Sequence, residues 1–444
     1  MSTTGIIITF VVCIIVMIVL IAQFHVNAVM ALILVSMALG IIIGTPLGDV
    51  MNQINTGFSS TIKKIAIIIL LGSLLGKILE ETGAAQSLTF SLVKLVGKKN
   101  VIWAIGISAF ILAVPVFSDT VTILLMPIVS NLAIETGASM MTYGTALAVC
   151  AQITHCLVAP TPGPIAAASL VGVPLGVAIP WGLLVSVPGL FVTILYCKIF
   201  CTKEMVAPKE EHLVAYEANK NMKLPNVGLA VLPIILPVVL IVCNTVINTI
   251  APDSVIGNFF LFFGAAEPAL LIGCIIAAIT LTEGRWKTKL VLNDWVDTAM
   301  EVSAMPVFVT GAGGALAQFI KNSGVADVIA ASIVDAGFPA ILVPIILSAI
   351  IHVVTGSSTL AVATTGALVA PMLATLGLSP LSAFLAICSA ALMFKHGNSS
   401  AFWVGTSLSN MTFPQGLKGI GGGCTVASFA CCITTVILYA VGII

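Results

Sequence analysis

Charge is what this 444-residue chain has least of: Asp, Glu, Lys and Arg together make up 8% of it, against 59% hydrophobic residues. A soluble domain carries about 25% charged residues, so the chain reads as a membrane protein. Arginine occurs once, at Arg285, and the net charge is zero. These two scarcities exclude the basic footprint that nucleic-acid binding needs and leave no guanidinium clamp for phosphate. The eleven cysteines contain no C-x-x-C pair and fall mostly in apolar runs, which argues against a disulfide framework or a zinc site and makes them small core hydrophobes. A basic segment and a small-residue cleavage site are both missing around the first apolar run, so it is expected to stay as a span rather than be removed as a signal peptide. No Walker A motif is present, so ATP is not the direct energy source unless a separate subunit supplies it. Gly311-Ala312-Gly313-Gly314 sits inside an apolar run with neither a preceding strand nor a following Lys-Ser/Thr, and reads as close helix packing. Gly419 to Gly423 reads as a flexible lead into the last span. No cofactor and no metal are expected.

What the chain has in abundance is long hydrophobic runs. A helix crosses the hydrocarbon core with about 20 apolar residues, and that ruler marks ten full crossings, near 4–22, 26–44, 62–79, 140–178, 180–200, 226–251, 258–282, 300–320, 380–410 and 422–444. Two are too long and contain breakers: 140–178 carries Pro160-Thr161-Pro162-Gly163-Pro164, and 380–410 carries Lys395-His396-Gly397-Asn398-Ser399-Ser400. Both read as broken helices. Two further stretches, about 100–135 and 338–375, are interrupted by Pro115-Val116-Phe117-Ser118-Asp119-Thr120 and by Thr355-Gly356-Ser357-Ser358-Thr359. A polar turn in lipid is forbidden unless it faces protein or a water-filled cavity, so both are predicted to be re-entrant hairpins.

With the hairpins not counted as crossings, one side of the membrane receives Lys77, Lys94, Lys98, Lys99, Lys198, Lys203, Lys209, Lys220, Lys223, Arg285, Lys287, Lys289 and Lys418, and the other only Lys63, Lys64 and Lys321. Positive residues in short loops collect on the cytoplasmic side. Both termini are therefore expected to be extracytoplasmic and the polar segment 201–225 to be a cytoplasmic linker. That linker divides a first repeat, 1–200, from a second, 226–444. Glu81-Thr82-Gly83-Ala84 echoes Asn322-Ser323-Gly324-Val325, Ser118-Asp119-Thr120 echoes Ser357-Ser358-Thr359, and Gly137-Ala138-Ser139 echoes Gly377-Leu378-Ser379. Five crossings in each half make the second repeat inverted. The fold class is thus an all-α polytopic membrane protein of two inverted repeats, each with a re-entrant hairpin and a broken helix, a plan characteristic of secondary transporters.

The run Thr154-His155-Cys156-Leu157-Val158-Ala159-Pro160-Thr161-Pro162-Gly163-Pro164 resembles the proline-rich signature of the gluconate permease family. The similarity extends over nearly the whole chain and includes the segments around Asp119 and Lys395. The resemblance implies a carrier of gluconate-like sugar acids, normally coupled to protons; relatives also carry other small hydroxylated acids and D-serine. Through the wider ion-transporter superfamily it also implies a homodimer with a fixed scaffold and a moving transport domain.

Half-helices that end at mid-membrane expose unpaired N–H groups and positive dipole ends, which suit a carboxylate without arginine. The substrate-binding candidates are Ser118, Asp119, Thr120, Thr161, Pro162, Gly163, Ser357, Ser358, Thr359, Gly397, Asn398, Ser399 and Ser400. Their hydroxyls and amides would pair with sugar hydroxyls, although serine and threonine at such tips also serve simply as helix caps. Asp119 stands out, because a carboxylate in the membrane costs about 2.5–3.5 kcal/mol; it is a candidate for the coupling proton or an N-cap. The other proton-coupling candidates are His155, His396 and Lys395, against the alternatives of a packed neutral histidine and a snorkelling lysine. Glu267 and His352 are embedded but read as structural, and Glu135, Asp327 and Asp335 as solvated.

The leading reading is a proton-coupled carrier of gluconate or a related hydroxy acid in the cytoplasmic membrane. Sodium coupling, a D-serine or glycerate permease and an anion channel are the alternatives, the last because polar hairpins also build channel filters. An intramembrane enzyme using Asp119 and His155 lacks an H-E-x-x-H or G-x-S-x-G context.

Overall fold

The structure, a computed structural model, describes residues 3–97, 100–219, 223–251, 254–323, 328, 330–331 and 334–444. Among the described residues every regular element is helical, as lipid demands of a chain whose backbone groups must be satisfied internally. Seven helices among the described residues are long and apolar enough to cross a membrane. There are eight if Val255–Phe263 and Ala266–Leu281, bent by 69°, make one span.

Ten crossings are expected from the sequence, and the differences have physical causes. The predicted span 26–44 is the 15-residue helix Ala28–Ile42, about 22 Å long where the hydrocarbon core needs about 30 Å. The span 62–79 lies within a 35-residue helix, Leu47–Glu81, made less apolar by Lys63, Lys64 and Lys77. The stretch 380–410 breaks into Pro380–Ala390 and Ser400–Leu408, each too short to cross alone. Conversely, Ser118–Thr136 and Ser358–Leu376, expected as arms of re-entrant hairpins, are each long enough to cross. Their partners Val101–Leu112 and Leu342–Thr355 have only 12 and 14 residues. Each hairpin is therefore asymmetric, a short arm and a long one joined by a polar turn.

The stretch Met140–Val171 is the centre of the molecule: 94% of its span is buried, against 28% for Val227–Ile250 and 39% for Leu175–Lys203. The latter two present Phe191, Leu195, Ile235 and Val239 outward, the side chains a lipid-facing surface requires. Within the central stretch the helix stops at Leu157, passes through a cis Ala159–Pro160 bond and restarts at Pro162. Proline has no N–H to donate, so it ends the first piece and is tolerated in the first turn of the second.

Leu47–Glu81 and Trp295–Ser323 run antiparallel in close contact, with Ser303 Oγ donating to Ser73 Oγ at 2.9 Å. A Cβ on Gly314 would overlap Thr61 Oγ1 and the Gly57 carbonyl, so the Gly311–Gly314 region serves helix packing. The second glycine-rich segment is not a flexible lead: Leu417–Gly421 is a wide helical turn continuous with Gly422–Ala440, and Gly421 packs on the Lys395 carbonyl. Ten of the eleven cysteines are buried and all are unpaired.

The echoes between the halves share local geometry where both copies are described. Gly137 and Gly377 are left-handed C-caps with φ of 66° and 63°, and each is followed by an N-capping serine, Ser139 and Ser379. The hairpin echo is offset by one position: Ser118 is the first residue of one long arm, whereas Ser357 is the N-cap of the other. The third echo falls partly outside the described residues, as does Asp327.

Candidate functional site

The two hairpin turns and the second helix break converge on a cavity of about 380 Å³ beside the first broken helix. Phe117, Ser118 and Asp119 enter from the first hairpin, residues 355–359 from the second, and Lys395 with residues 398–401 from the second break. Gln152 and His155 line it from Met140–Leu157. Three helices begin at this cavity, at Ser118, Ser358 and Ser400. The N-cap residues Phe117 and Ser399 make no side-chain capping bond, whereas Ser357 Oγ accepts from Leu360 N at 3.3 Å. Unpaired N–H groups and positive dipole ends thus face one space, which attracts an anion.

Lys395 supplies a full positive charge there and is buried. Its Nζ lies 3.2 Å from Ser399 Oγ and 3.4 Å from both Ser358 Oγ and His352 Nε2. His352 Nδ1 is 2.8 Å from the Met393 carbonyl. A carbonyl only accepts, so Nδ1 carries the ring proton and Nε2 is left as an acceptor for the ammonium. All three partners of Lys395 are neutral, and all three bonds are longer than the 2.7–2.9 Å of a strong charge-assisted bond. No carboxylate lies within 4 Å of Nζ among the described residues. The charge is therefore held in place without being neutralised.

Asp119 provides the opposite charge. Its Oδ2 accepts from Ser400 Oγ at 3.4 Å and its Oδ1 from Ser118 Oγ at 3.5 Å, while Gln152 Nε2 donates to Ser118 Oγ at 2.5 Å. The neighbouring serines of the second break thus touch the two charges separately, Ser399 the lysine and Ser400 the aspartate. His155 completes the wall with its ring 5.5 Å from that of Phe117, and its Nδ1 is buried without a partner.

Of the residues singled out in the sequence, Ser118, Asp119, Ser357, Ser358, Thr359, Asn398, Ser399, Ser400, His155 and Lys395 line the cavity. Thr120 does not: it faces a smaller space beside Gly76, Lys77 and Glu80. Thr161, Pro162 and Gly163 are buried in packing, with Thr161 Oγ1 donating to the Val158 carbonyl at 2.5 Å and Gly163 against Thr359. Gly397 lies under the Phe413 ring, and its carbonyl accepts from Trp403 Nε1 at 2.7 Å. His396 is directed elsewhere: its Nε2 donates to the Val353 carbonyl at 3.0 Å, and Asn398 Nδ2 donates to the same carbonyl at 2.6 Å. These two side chains satisfy the carbonyls at the end of Leu342–Thr355 and clamp the second break onto the second hairpin.

Sequence reasoning passed over Gln152 and treated His352 as structural. Gln152 lies one helical turn before His155, on the same face, and that spacing was the available signal. The contact of His352 with Lys395 spans 43 positions and has no local signature.

The clamp predicts the behaviour of Gly356. Its φ is +70°, and an added Cβ would run into the Asn398 carbonyl. The left-handed conformation alone costs a non-glycine residue about 1–2 kcal/mol. Gly356→Ala should loosen the second hairpin from the second break and cost about 1–2 kcal/mol of stability, while the protein still inserts; thermal unfolding of the purified protein measures this.

Comparison with known proteins is consistent along the whole chain. Residues 5–441 match the model of the GntP family permeases. The high-affinity gluconate transporter of Escherichia coli (strain K12) is 28% identical over 410 residues, covering 91% of this chain and 92% of that one. A gluconate permease of Zymomonas mobilis is 29% identical over 436 residues, 97% of each. Among solved structures, the YdaH transporter of Alcanivorax borkumensis, described as having an unusual topology, superposes with a TM-score of 0.62 at 13% identity and covers 89% of this chain and 90% of its own. At that identity the likeness is one of fold.

Proposed function

The chain belongs to the GntP permease family, a group of membrane transporters rather than enzymes, and from that premise we propose that it imports gluconate or a related small hydroxylated carboxylic acid across the cytoplasmic membrane by proton symport. The observation that carries the reading is the cavity itself: a buried lysine with no acidic partner within 4 Å among the described residues, three helix N-termini and a ring of hydroxyls face one space of about 380 Å³. Lys395 and the helix ends take the carboxylate, Ser357, Thr359 and Asn398 take sugar hydroxyls, and Asp119 takes the proton. An ionised Asp119 repels the substrate and a protonated one does not, so the two ligands bind better together.

Alternating access follows from the way the site is mounted. Val116 and Phe117 of the first hairpin turn share a small space with Gly76, Lys77 and Glu80, in the last two turns of Leu47–Glu81. Thr298, Ala299 and Val302, in the first turns of Trp295–Ser323, border the same space. By the lysine distribution these ends of the long helix pair are cytoplasmic, with the termini extracytoplasmic, so the arrangement reads as inward-facing. The bonds of Asp119 to Ser400 and of His396 and Asn398 to Val353 tie the hairpins and breaks into one body. With residues 1–200 and 226–444 as inverted repeats, that body reaches the other face by taking the mirrored register along the pair, an elevator-type step.

Purified protein in vesicles, loaded with one acid and presented with labelled gluconate, idonate, fructuronate, glycerate or D-serine in turn, should show counterflow strongest for a polyhydroxylated acid. Net accumulation should follow an imposed pH gradient and ignore a sodium gradient. Accumulation that follows sodium alone would replace the proton in this reading, and strictly downhill flux would make the protein a channel.

A further inference from the structure

A second cavity, of about 400 Å³, matches the central one in size but shares none of its residues. Lys64 and Lys321 line it, and among the described residues no acidic residue does. The lysines Lys77, Lys209, Lys223 and Lys418 each pair with a glutamate, whereas Lys64 and Lys321 have no carboxylate within 4 Å among the described residues. Its wall also holds Gln318 and Ser169, and the Ser169 hydroxyl is buried with no hydrogen-bond partner. Two cations with no carboxylate beside them among the described residues, and the Gln318 amide, are the complement of a hydroxylated carboxylate.

Its position relates it to the transport path. Ser358–Val369 starts at the central cavity, which Thr359 lines, and Ala370, just past its end, lines the second. Eleven residues of helix amount to about 16 Å, roughly half the hydrocarbon thickness. One wall is the long helix pair, through Lys64 and Lys321, and the other is the hairpin and broken helix, through Ala370 and Ser169. The second cavity thus opens at the seam between the two bodies, on the side away from the lysine-rich loops.

We infer that this cavity is a second, extracytoplasmic binding site for the same small carboxylates, in which Lys64 and Lys321 collect the anion before the central site comes level with it. The inference rests on the transport reading above. A weakly screened pair of charges in a cleft raises local anion concentration and association rate by about tenfold or more, and loses that advantage in salt.

The test is initial-rate transport of labelled gluconate in right-side-out and inside-out vesicles, at low and high salt, for the parent, K64Q/K321Q and K64R/K321R. The glutamine pair should raise KM about tenfold from the extracytoplasmic face at low salt, leave maximal rate and the cytoplasmic-face KM unchanged, and erase the salt dependence. The arginine pair should keep the parent KM. An unchanged KM, or an equal rise from both faces, overturns the site. So does a rise that appears in vesicles containing anionic lipid and vanishes in phosphatidylcholine alone, which assigns the lysines to lipid headgroups. A parent that transports no hydroxy acid from either face overturns the transport reading instead, and is seen before any variant is made.

Discussion

Lys395→Gln should raise the KM for the acid substrate about 100-fold, about 2.7 kcal/mol, with the protein still inserted and folded. The size follows from what the substitution removes. Truncating one partner of a buried, hydrogen-bonded charge pair costs about 2–5 kcal/mol, much of it from leaving the other charge unpaired; here the charge left unpaired is the substrate carboxylate. Folding should not suffer, because the lysine's own partners are neutral and its bonds are long, 3.2–3.4 Å. Glutamine still donates to a serine hydroxyl, and a charge is taken out of the membrane rather than orphaned there. Lys395→Arg keeps the charge but spreads it over a planar fork that does not fit among Ser358, Ser399 and His352, and should recover only part of the affinity. Binding titrations at fixed pH with purified protein measure both. A Lys395→Gln protein that binds the acid like its parent would leave the lysine a structural clamp and move the anion site wholly onto the helix ends.

Lys395 and Asp119 were legible in the sequence for one reason: lipid makes charge expensive, and a chain that spends 8% of its residues on charge places almost all of it in water. The turns around them were legible because proline, glycine and runs of serine cannot continue a helix without consequence. Which residues of each turn face the cavity was not. Thr120 follows Asp119 by one position, about 100° further round the helix, and so looks into a different space. The two breaks lie at equivalent places in the two halves of the chain. Yet the first is packed solid around Thr161, Pro162 and Gly163, and the second opens on the cavity through Asn398, Ser399 and Ser400. The expected ten crossings differ from the seven or eight helices long and apolar enough among the described residues because a hydropathy ruler measures composition along the chain, whereas the bend between Phe263 and Ala266 lies where Gly264 packs on the Leu240 carbonyl. Gln152 was missed because its one signal, a helical turn's spacing from His155, does not show the Ser118 hydroxyl that it meets once the first hairpin is placed against it.

Asp119→Asn should abolish accumulation driven by a pH gradient while preserving exchange. Asparagine has the shape of the protonated acid: its Oδ1 accepts from one of the two serines, Ser118 and Ser400, that hold Oδ1 and Oδ2 in the parent, and its Nδ2 donates to the hydroxyl oxygen of the other, so the cavity keeps its form. In the parent, substrate affinity should fall as pH rises, because the ionised carboxylate shares one cavity with the substrate's own negative charge. In the variant the affinity should be flat with pH and equal to the low-pH value of the parent. With one proton per substrate, a gradient of one pH unit supports about tenfold accumulation, since each tenfold is about 1.4 kcal/mol; the variant should equilibrate near onefold. Counterflow needs no net proton movement and should stay within about threefold of the parent, a difference of less than ~1 kcal/mol. Phe117, not Asp119, is the N-cap of Ser118–Thr136, so loss of counterflow together with accumulation would instead mark Asp119 as a structural tie between the first hairpin and Ser400. Accumulation that still follows the gradient would pass the proton to His155, which lines the cavity with Lys395 and whose Nδ1 has no hydrogen-bond partner among the described residues. The three outcomes separate because Lys395 stays in place in all of them: the substrate carboxylate keeps its counter-charge, and the change is confined to whether a proton must accompany it.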